Sequence, residues 1–299
     1  MGIQFKQVSY QYQGIKTKYL ALDNVSLNID QQGEFIAIVG HTGSGKSTLV
    51  QHMNALLLPT SGELIVFGQK LPPKKNEKIN HLRQKVGLVF QFPEYQLFEE
   101  TIIKDIMFGP KNFKISDEEA LIRATNAAHI VGIDDTLFEQ SPFRISGGQM
   151  RRVAVAGILA MQPDVLVLDE PTRGLDPKGK TELMNIFVNL HEQKNQSIIL
   201  ITHDMDIVSQ YAKRVIVLEA GKVVFDGKKE DLFEHENFDS FHLELPTPLK
   251  ILKHLEKTLN IKYKPFYDFD SLYQHLKEVK LWIQWWLANI SLEIHGYIN

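Results

Sequence analysis

The residues best suited to chemistry are Gly40-His41-Thr42-Gly43-Ser44-Gly45-Lys46-Ser47, a match to the pattern G-x-x-x-x-G-K-[ST]. They follow the apolar run Ile36-Ala37-Ile38-Val39 and precede Thr48-Leu49-Val50, which supplies the strand, glycine loop and helix N-terminus that the pattern requires. The glycines let backbone N–H groups curl around a β-phosphate, and the helix dipole favours its negative charge. Lys46 would bridge β- and γ-phosphates, and Ser47 would offer its hydroxyl to Mg²⁺. The expected nucleotide-binding stretch is therefore Gly40 to Thr48. Downstream, Val165-Leu166-Val167-Leu168 runs into Asp169-Glu170-Pro171. An Asp at the tip of a buried strand beside a phosphate loop can hold Mg²⁺, and a neighbouring carboxylate can take a proton from an attacking water. Asp169 is assigned to the metal and Glu170 to the general base.

A second anion cradle lies at Ile145-Ser146-Gly147-Gly148-Gln149, at the start of an expected helix, where Ser146 and successive glycine N–H groups would face a negative ligand. A chain that binds a single nucleotide has no evident use for two such cradles.

These residues need a scaffold of buried strands. Glu34–Val39, Leu64–Phe67, Val86–Phe90, Val165–Leu168, Ser197–Ile201 and Val215–Leu218 are mostly continuous apolar runs, the pattern of strands covered on both faces in an α/β sheet. Ile3–Tyr12 and Leu20–Ile29 alternate, as expected for an antiparallel cap. Between them, the strands at 86–90 and 165–168 should enclose a helical insertion over about 92–162. In it, Ser116 and Glu119 form an expected capping box for a helix running to about Val131. A second helix starts near Gly147 and stops at Pro163. The main domain is expected over residues 1–238, with a C-terminal helical extension over 239–299 after the linker Leu245-Pro246-Thr247-Pro248. On a helix, Leu272, Leu276, Val279, Ile283 and Trp286 share one stripe while Leu281 and Trp285 fall opposite, so this tail is a candidate contact between subunits.

The 33 Lys plus Arg and 36 Asp plus Glu leave a net charge of −3, which argues against a strongly basic nucleic-acid clamp. At 43% hydrophobic and 23% charged, the chain can build a large core. Cysteine is absent, so disulfides, thiolate catalysis and cysteine metal sites are excluded. No stretch reaches the ~18 uninterrupted apolar residues of a membrane helix, and the expectation is a soluble or peripheral protein.

With the second cradle in the count, the chain resembles an ATP-binding cassette ATPase, a P-loop NTPase in which the signature loop of one subunit closes on the γ-phosphate held by the other. The resemblance covers roughly residues 1–235. It implies ATP and Mg²⁺ as ligands and gives roles to further residues. Gln91 resembles the glutamine that contacts Mg²⁺ or water and couples to a membrane partner. Gly174-Leu175-Asp176 resembles the loop that crosses to the other subunit, His203 the switch histidine, and Tyr12 the aromatic that stacks on adenine. Ile145 stands where the family usually has Leu.

Gln91-Phe92-Pro93-Glu94-Tyr95-Gln96-Leu97-Phe98 further resembles energy-coupling factor transporter ATPases, importers of vitamins and transition-metal ions. That implies a second ATPase subunit, identical or related, and a transmembrane coupling subunit carrying a substrate-binding membrane subunit. It also implies a peripheral location on the cytoplasmic face of the cell membrane and no nucleic-acid partner. Phe92, Tyr95 and Phe98 are candidates to line the groove for the coupling subunit. The rival reading is an ATP-gated clamp on nucleic acid or ribosome. It fits less well, since no long coiled coil separates Lys46 from Asp169 and the chain has a single phosphate loop and no long basic run. A regulatory module without catalysis would not need Glu170 and His203.

Overall fold

The computed structural model describes residues 2–12, 20–74, 77–259 and 264–279. Along the chain, β1 (Ile3–Tyr10) and β2 (Leu22–Ile29) precede β3 (Phe35–Val39), α1 (Lys46–Met53), β4 (Ser61–Val66), β5 (Gln69–Leu71), α2 (Asn80–Lys85) and β6 (Val86–Val89). The helices α3 (Ile102–Asn112), α4 (Asp117–Ile130) and α5 (Gly147–Leu159) follow, then β7 (Val165–Asp169), α6 (Pro177–Lys194), β8 (Ser197–Ile201) and α7 (Met205–Tyr211). The described chain continues with β9 (Arg214–Glu219), β10 (Lys222–Lys228), α8 (Lys229–Phe233) and α9 (Thr247–Leu259).

Contacts divide the chain into two units. The first comprises Met1–His203 and Tyr211–Leu243, and the second Asp204–Gln210 and Glu244–Asn299. In the first unit a six-stranded sheet has the order β10-β9-β3-β8-β7-β6. β3 pairs in parallel with β8 and β9, and β7 with β6 and β8, whereas β10 returns antiparallel to β9. Every residue of β3, β6 and β8 is buried, so the continuous apolar runs reflect cover on both faces. A separate antiparallel sheet, β2-β1-β4-β5, forms the cap. Leu49 and Met53 of α1 sit fully buried in a core shared by cap residues Phe5, Leu22 and Leu64 and central-strand residues Ile36, Ile38 and Val167. α3, α4 and α5 interpose between β6 and β7 as the helical insertion.

Several elements differ from expectation. The run Leu64–Phe67 belongs to β4 of the cap, because its partners are β1 and β5. Phe67 itself has left-handed backbone, φ 47°, and closes the strand. β10 lies outside the expected strands; its residues alternate between exposed and half-buried, and its apolar run is only Val223-Val224-Phe225, ended by Asp226-Gly227. Ser116 does cap α4, its Oγ accepting from Glu119 N–H at 3.3 Å, but the reciprocal arm is missing because the Glu119 carboxylate accepts from Arg123 at 2.7 Å. The two-way box lies instead at Ser146 and Gln149, at the start of α5.

In the second unit, the Asp206 carboxylate accepts from the Thr247 N–H and hydroxyl at 2.5 and 2.8 Å, and Ser209 donates to the Tyr267 carbonyl at 2.7 Å. Over 269–279 the chain is helical, and Leu272, Leu276 and Val279 are among its less exposed positions. Leu281, Ile283, Trp285 and Trp286 lie outside the described residues.

Since Leu49 fills the space between cap and central sheet, Leu49→Ala should destabilise the protein by about 2–5 kcal/mol through lost burial and the cavity left behind. Urea unfolding of the full chain measures it, with a lower midpoint at unchanged slope expected.

Candidate nucleotide site

The phosphate loop forms where β3 leaves the sheet. Gly40 adopts φ 139°, and a Cβ there would stand 2.1 Å from the Leu218 carbonyl oxygen of β9. Gly45 adopts φ 105° as the residue before α1, with a Cβ position 2.4 Å from the Ala21 carbonyl oxygen. The backbone therefore passes between two neighbouring segments at positions where only glycine fits. Within the loop, Lys46 Nζ donates to the carbonyls of Gly40 and His41 at 2.7 and 2.8 Å. Burial pushes the Lys46 ammonium below its usual range, against the opposing pull of Glu170 and Asp169.

β7 delivers Asp169 beside this loop. Burial raises its carboxyl above the usual range, a hydrogen bond from Ser47 opposes this, and the neighbouring Glu170 charge adds to the rise. Glu170 has left-handed backbone at φ 50° and donates its N–H to the Ile201 carbonyl at 2.9 Å. Such a conformation costs a non-glycine residue about 1–3 kcal/mol and persists only where the surroundings enforce it. Here it turns the carboxylate so that Oε1 lies 2.7 Å from His203 Nδ1, the ring nitrogen that must carry the proton to donate. His203 itself is 71% exposed.

A cavity of about 400 Å³ gathers Tyr12, Thr42, Gly43, Gly45, Lys46, Ser47, Thr48, Gln91, Asp169 and Glu170. Gly40, His41 and Ser44 shape the loop without lining the cavity: Ser44 is fully buried, and His41 Nδ1 lies 2.8 Å from the Thr42 carbonyl. The Tyr12 hydroxyl is 3.1 Å from Thr48 Oγ1, and its ring stands edge-on to Tyr10 at 5.0 Å. The second cradle stands apart from this cavity. Ser146, Gly147 and Gly148 are exposed at the N-terminus of α5 and line no part of it, and Gln149 is turned back onto Ser146. Open space surrounds the Cβ positions of both glycines. Asp176 caps α6, accepting from Gly179 N–H at 2.6 Å.

The donor set suits the expected ligands. Ser47, Gln91 and Asp169 present the hard oxygen atoms that Mg²⁺ selects, with a single carboxylate among them. Among the described residues, no group of three or more His, Cys, Asp or Glu side chains could hold a metal ion.

Sequence reasoning missed Arg151, Glu94 and Arg173. Arg151, on α5, is 5% exposed and forks onto the Glu94 carboxylate at 2.7 and 3.0 Å, while donating to the Pro171 and Arg173 carbonyls at 3.2 and 2.6 Å. Burial pushes the Glu94 carboxyl up, but the bonds from Arg151 and a backbone N–H outweigh it and hold it below its usual range. Helix spacing offered a signal, since Arg151 falls one turn before Val155 and two before Leu159, both buried. Phe92 and Tyr95 do not line the apolar groove of the helical insertion. The guanidinium groups of Arg151 and Arg173 stand 5.9 and 5.7 Å from the Phe92 ring centre, whereas Phe98 does line the groove.

The family model described as ABC transporter matches residues 22–173. An energy-coupling factor transporter ATP-binding protein EcfA2 of Ligilactobacillus salivarius is 54% identical over 249 residues, covering 82% of this chain and 86% of its own length. The protein of the same name from Streptococcus agalactiae is 53% identical over 269 residues, covering 89% and 95%. Among solved structures, cbiO1 from Clostridium perfringens, part of the ABC transporter complex cbiONQ, is 35% identical with a TM-score of 0.69, covering 86% of this chain and 95% of its own. The dimeric ATP-binding cassette MJ0796 bound to ADP and Pi is 31% identical with a TM-score of 0.67, covering 76% and 98%.

Removing the Arg151 fork leaves the half-buried Glu94 without its partner and two carbonyls unmatched. Arg151→Ala should therefore cost about 3–5 kcal/mol of stability. In urea unfolding, Glu94→Gln should lose less in the Arg151→Ala background than alone, the signature of a shared interaction.

Proposed function

Because the chain belongs to the ATP-binding cassette transporter family, we propose that it is the ATP-hydrolysing subunit of an energy-coupling factor importer, working in a nucleotide-closed dimer on a transmembrane partner. One observation carries this reading: the cavity gathers the phosphate loop, Asp169, Glu170 and Gln91, while the exposed Ser146–Gly148 cradle lines none of it. A cradle that its own site does not use is suited to the γ-phosphate held by a neighbouring subunit.

In this reading, Gly43, Gly45 and Lys46 hold the β- and γ-phosphates, and Tyr12 stacks on adenine. Ser47, Gln91 and Asp169 would hold Mg²⁺, which neutralises charge on the transferred phosphoryl group. Glu170 takes a proton from the water whose oxygen bonds the γ-phosphorus, as the bond to the ADP oxygen breaks. His203 donates to Glu170 and keeps that carboxylate aimed. Ser146, Gly147, Gly148 and Gln149 of the opposite subunit close the outer face of the γ-phosphate, and hydrolysis reopens the pair.

The helical insertion carries an apolar groove of about 350 Å³ lined by Leu97, Phe98, Phe108, Phe113, Ile158 and Met161. Phe98 and Phe108 pack edge-on at 4.7 Å and both remain exposed, which suits docking of the transmembrane coupling subunit. Among the described residues no helix is long and apolar enough to cross a membrane. Attachment through such a groove supports a peripheral place on the cytoplasmic face. The cargo class is a vitamin or a transition-metal ion selected by a separate membrane subunit, and the C-terminal extension is a contact between ATPase subunits.

Glu170→Gln should retain ATP binding while hydrolysis falls by about 10²-fold or more. Phosphate release measured beside nucleotide binding checks both, and near-normal turnover would remove Glu170 as the base.

Completion across subunits is tested by mixing Ser146→Arg chains with Lys46→Ala chains, or by placing these changes on opposite subunits if the natural partner is a distinct ATPase. One site of the mixed dimer then carries both defects and the other neither, so activity should return although each variant alone is inactive. A mixture as inactive as its components, with subunit exchange verified, would instead mean sites completed within one chain.

A further inference from the structure

Arg173 lines the nucleotide cavity with Lys46, Ser47, Gln91, Asp169 and Glu170, three residues beyond the general base. Its backbone is held on both sides, while the residue itself is exposed. The Arg173 N–H donates to the Glu170 carbonyl at 3.2 Å, and its own carbonyl accepts from Arg151 at 2.6 Å. The guanidinium stands 5.7 Å from the centre of the Phe92 ring, next to Gln91 in the chain. Yet its charge is uncommitted, since among the described residues no carboxylate pairs with it. Nearby acids are occupied: Glu170 by His203, Asp169 by Ser47 and Glu94 by Arg151. Packing over an aromatic face holds a guanidinium in place without neutralising it. An unpaired, positioned fork in the wall of a polyanion site matches the geometry of phosphate oxygens.

Position along the cavity selects which phosphate. Tyr12 and Thr48 mark the end expected for the base, whereas Arg173 shares a turn with Glu170, whose carboxylate addresses the water attacking the γ-phosphorus. We propose that Arg173 is a further phosphate-binding residue of this chain's own site, contacting the terminal phosphate of the nucleoside triphosphate. The proposal rests on the ATPase reading above and adds to it a residue that separates ATP from ADP.

The test measures ATP and ADP affinities of the full chain by calorimetry, in a Glu170→Gln background so that ATP persists. Arg173→Met retains an apolar stem over Phe92 and leaves the backbone bond from Arg151 in place, removing only the charge. ATP binding should weaken about tenfold or more, the size of one lost charge-assisted hydrogen bond, with ADP affinity changed less than about twofold. Arg173→Lys should recover part of the loss. Parallel weakening of both nucleotides, or an unchanged ratio, would overturn the assignment. So would retained discrimination with hydrolysis lost in the otherwise wild-type chain, which would move Arg173 to the neighbour's site. Lys46→Ala, expected to weaken both nucleotides, reads the phosphate loop independently. Normal binding in that variant would remove the nucleotide site itself and this assignment with it.

Discussion

The site depends on a close passage of backbone past backbone. At Gly40 and Gly45 the loop between β3 and α1 runs so near the Leu218 and Ala21 carbonyls that a side chain would overlap them. That passage aims the first turn of α1 at the cavity and draws Lys46 back over the loop carbonyls. The same helix carries Leu49 and Met53 into the core shared by cap and central sheet. One short helix thus joins the hydrophobic core to the phosphate chemistry, and movement at either end is felt at the other.

On the facing side, strain performs a comparable task. The left-handed backbone at Glu170 bends the chain out of β7 and lets its carboxylate meet His203, which follows the neighbouring strand β8. The parallel pairing of β7 with β8 sets the separation of these two side chains, so the sheet register fixes the distance between Glu170 and His203. Burial acts on the charges in the same region, lowering Lys46 and raising Asp169, and each shift is opposed by the other's field, with Ser47 adding its hydrogen bond to Asp169.

The helical insertion is tied to this machinery by Arg151. α5 begins at the capping box of Ser146 and Gln149, and within its next turns Arg151 grips Glu94 and the turn that follows Glu170. The helix thus joins the exposed cradle at its tip to the turn beside the nucleotide cavity along its flank. The Phe92 ring meets the guanidinium groups of both Arg151 and Arg173, which connects the segment after Gln91 to the turn bearing Arg173.

Legible along the chain were the chemical groups: a glycine loop between an apolar run and a helix start, a carboxylate pair ending another run, and a serine-glycine cradle opening a helix. These are local features, and each is fixed by residues within one turn or one strand end. Helix starts at Ser116 and Ser146 were legible for the same reason, although only the tertiary structure showed that Glu119 turns to Arg123 and that Gln149 completes a box. Tertiary structure alone decided which sheet Leu64–Phe67 joins, because an apolar run does not specify its partners. It also decided that β10 adds to an edge, where one face is exposed and the other only half-buried, so that Val223-Val224-Phe225 makes no long apolar run. Arg151, Glu94 and Arg173 acquire their roles from segments dozens of residues apart, and no spacing rule along the chain encodes a contact that the fold creates.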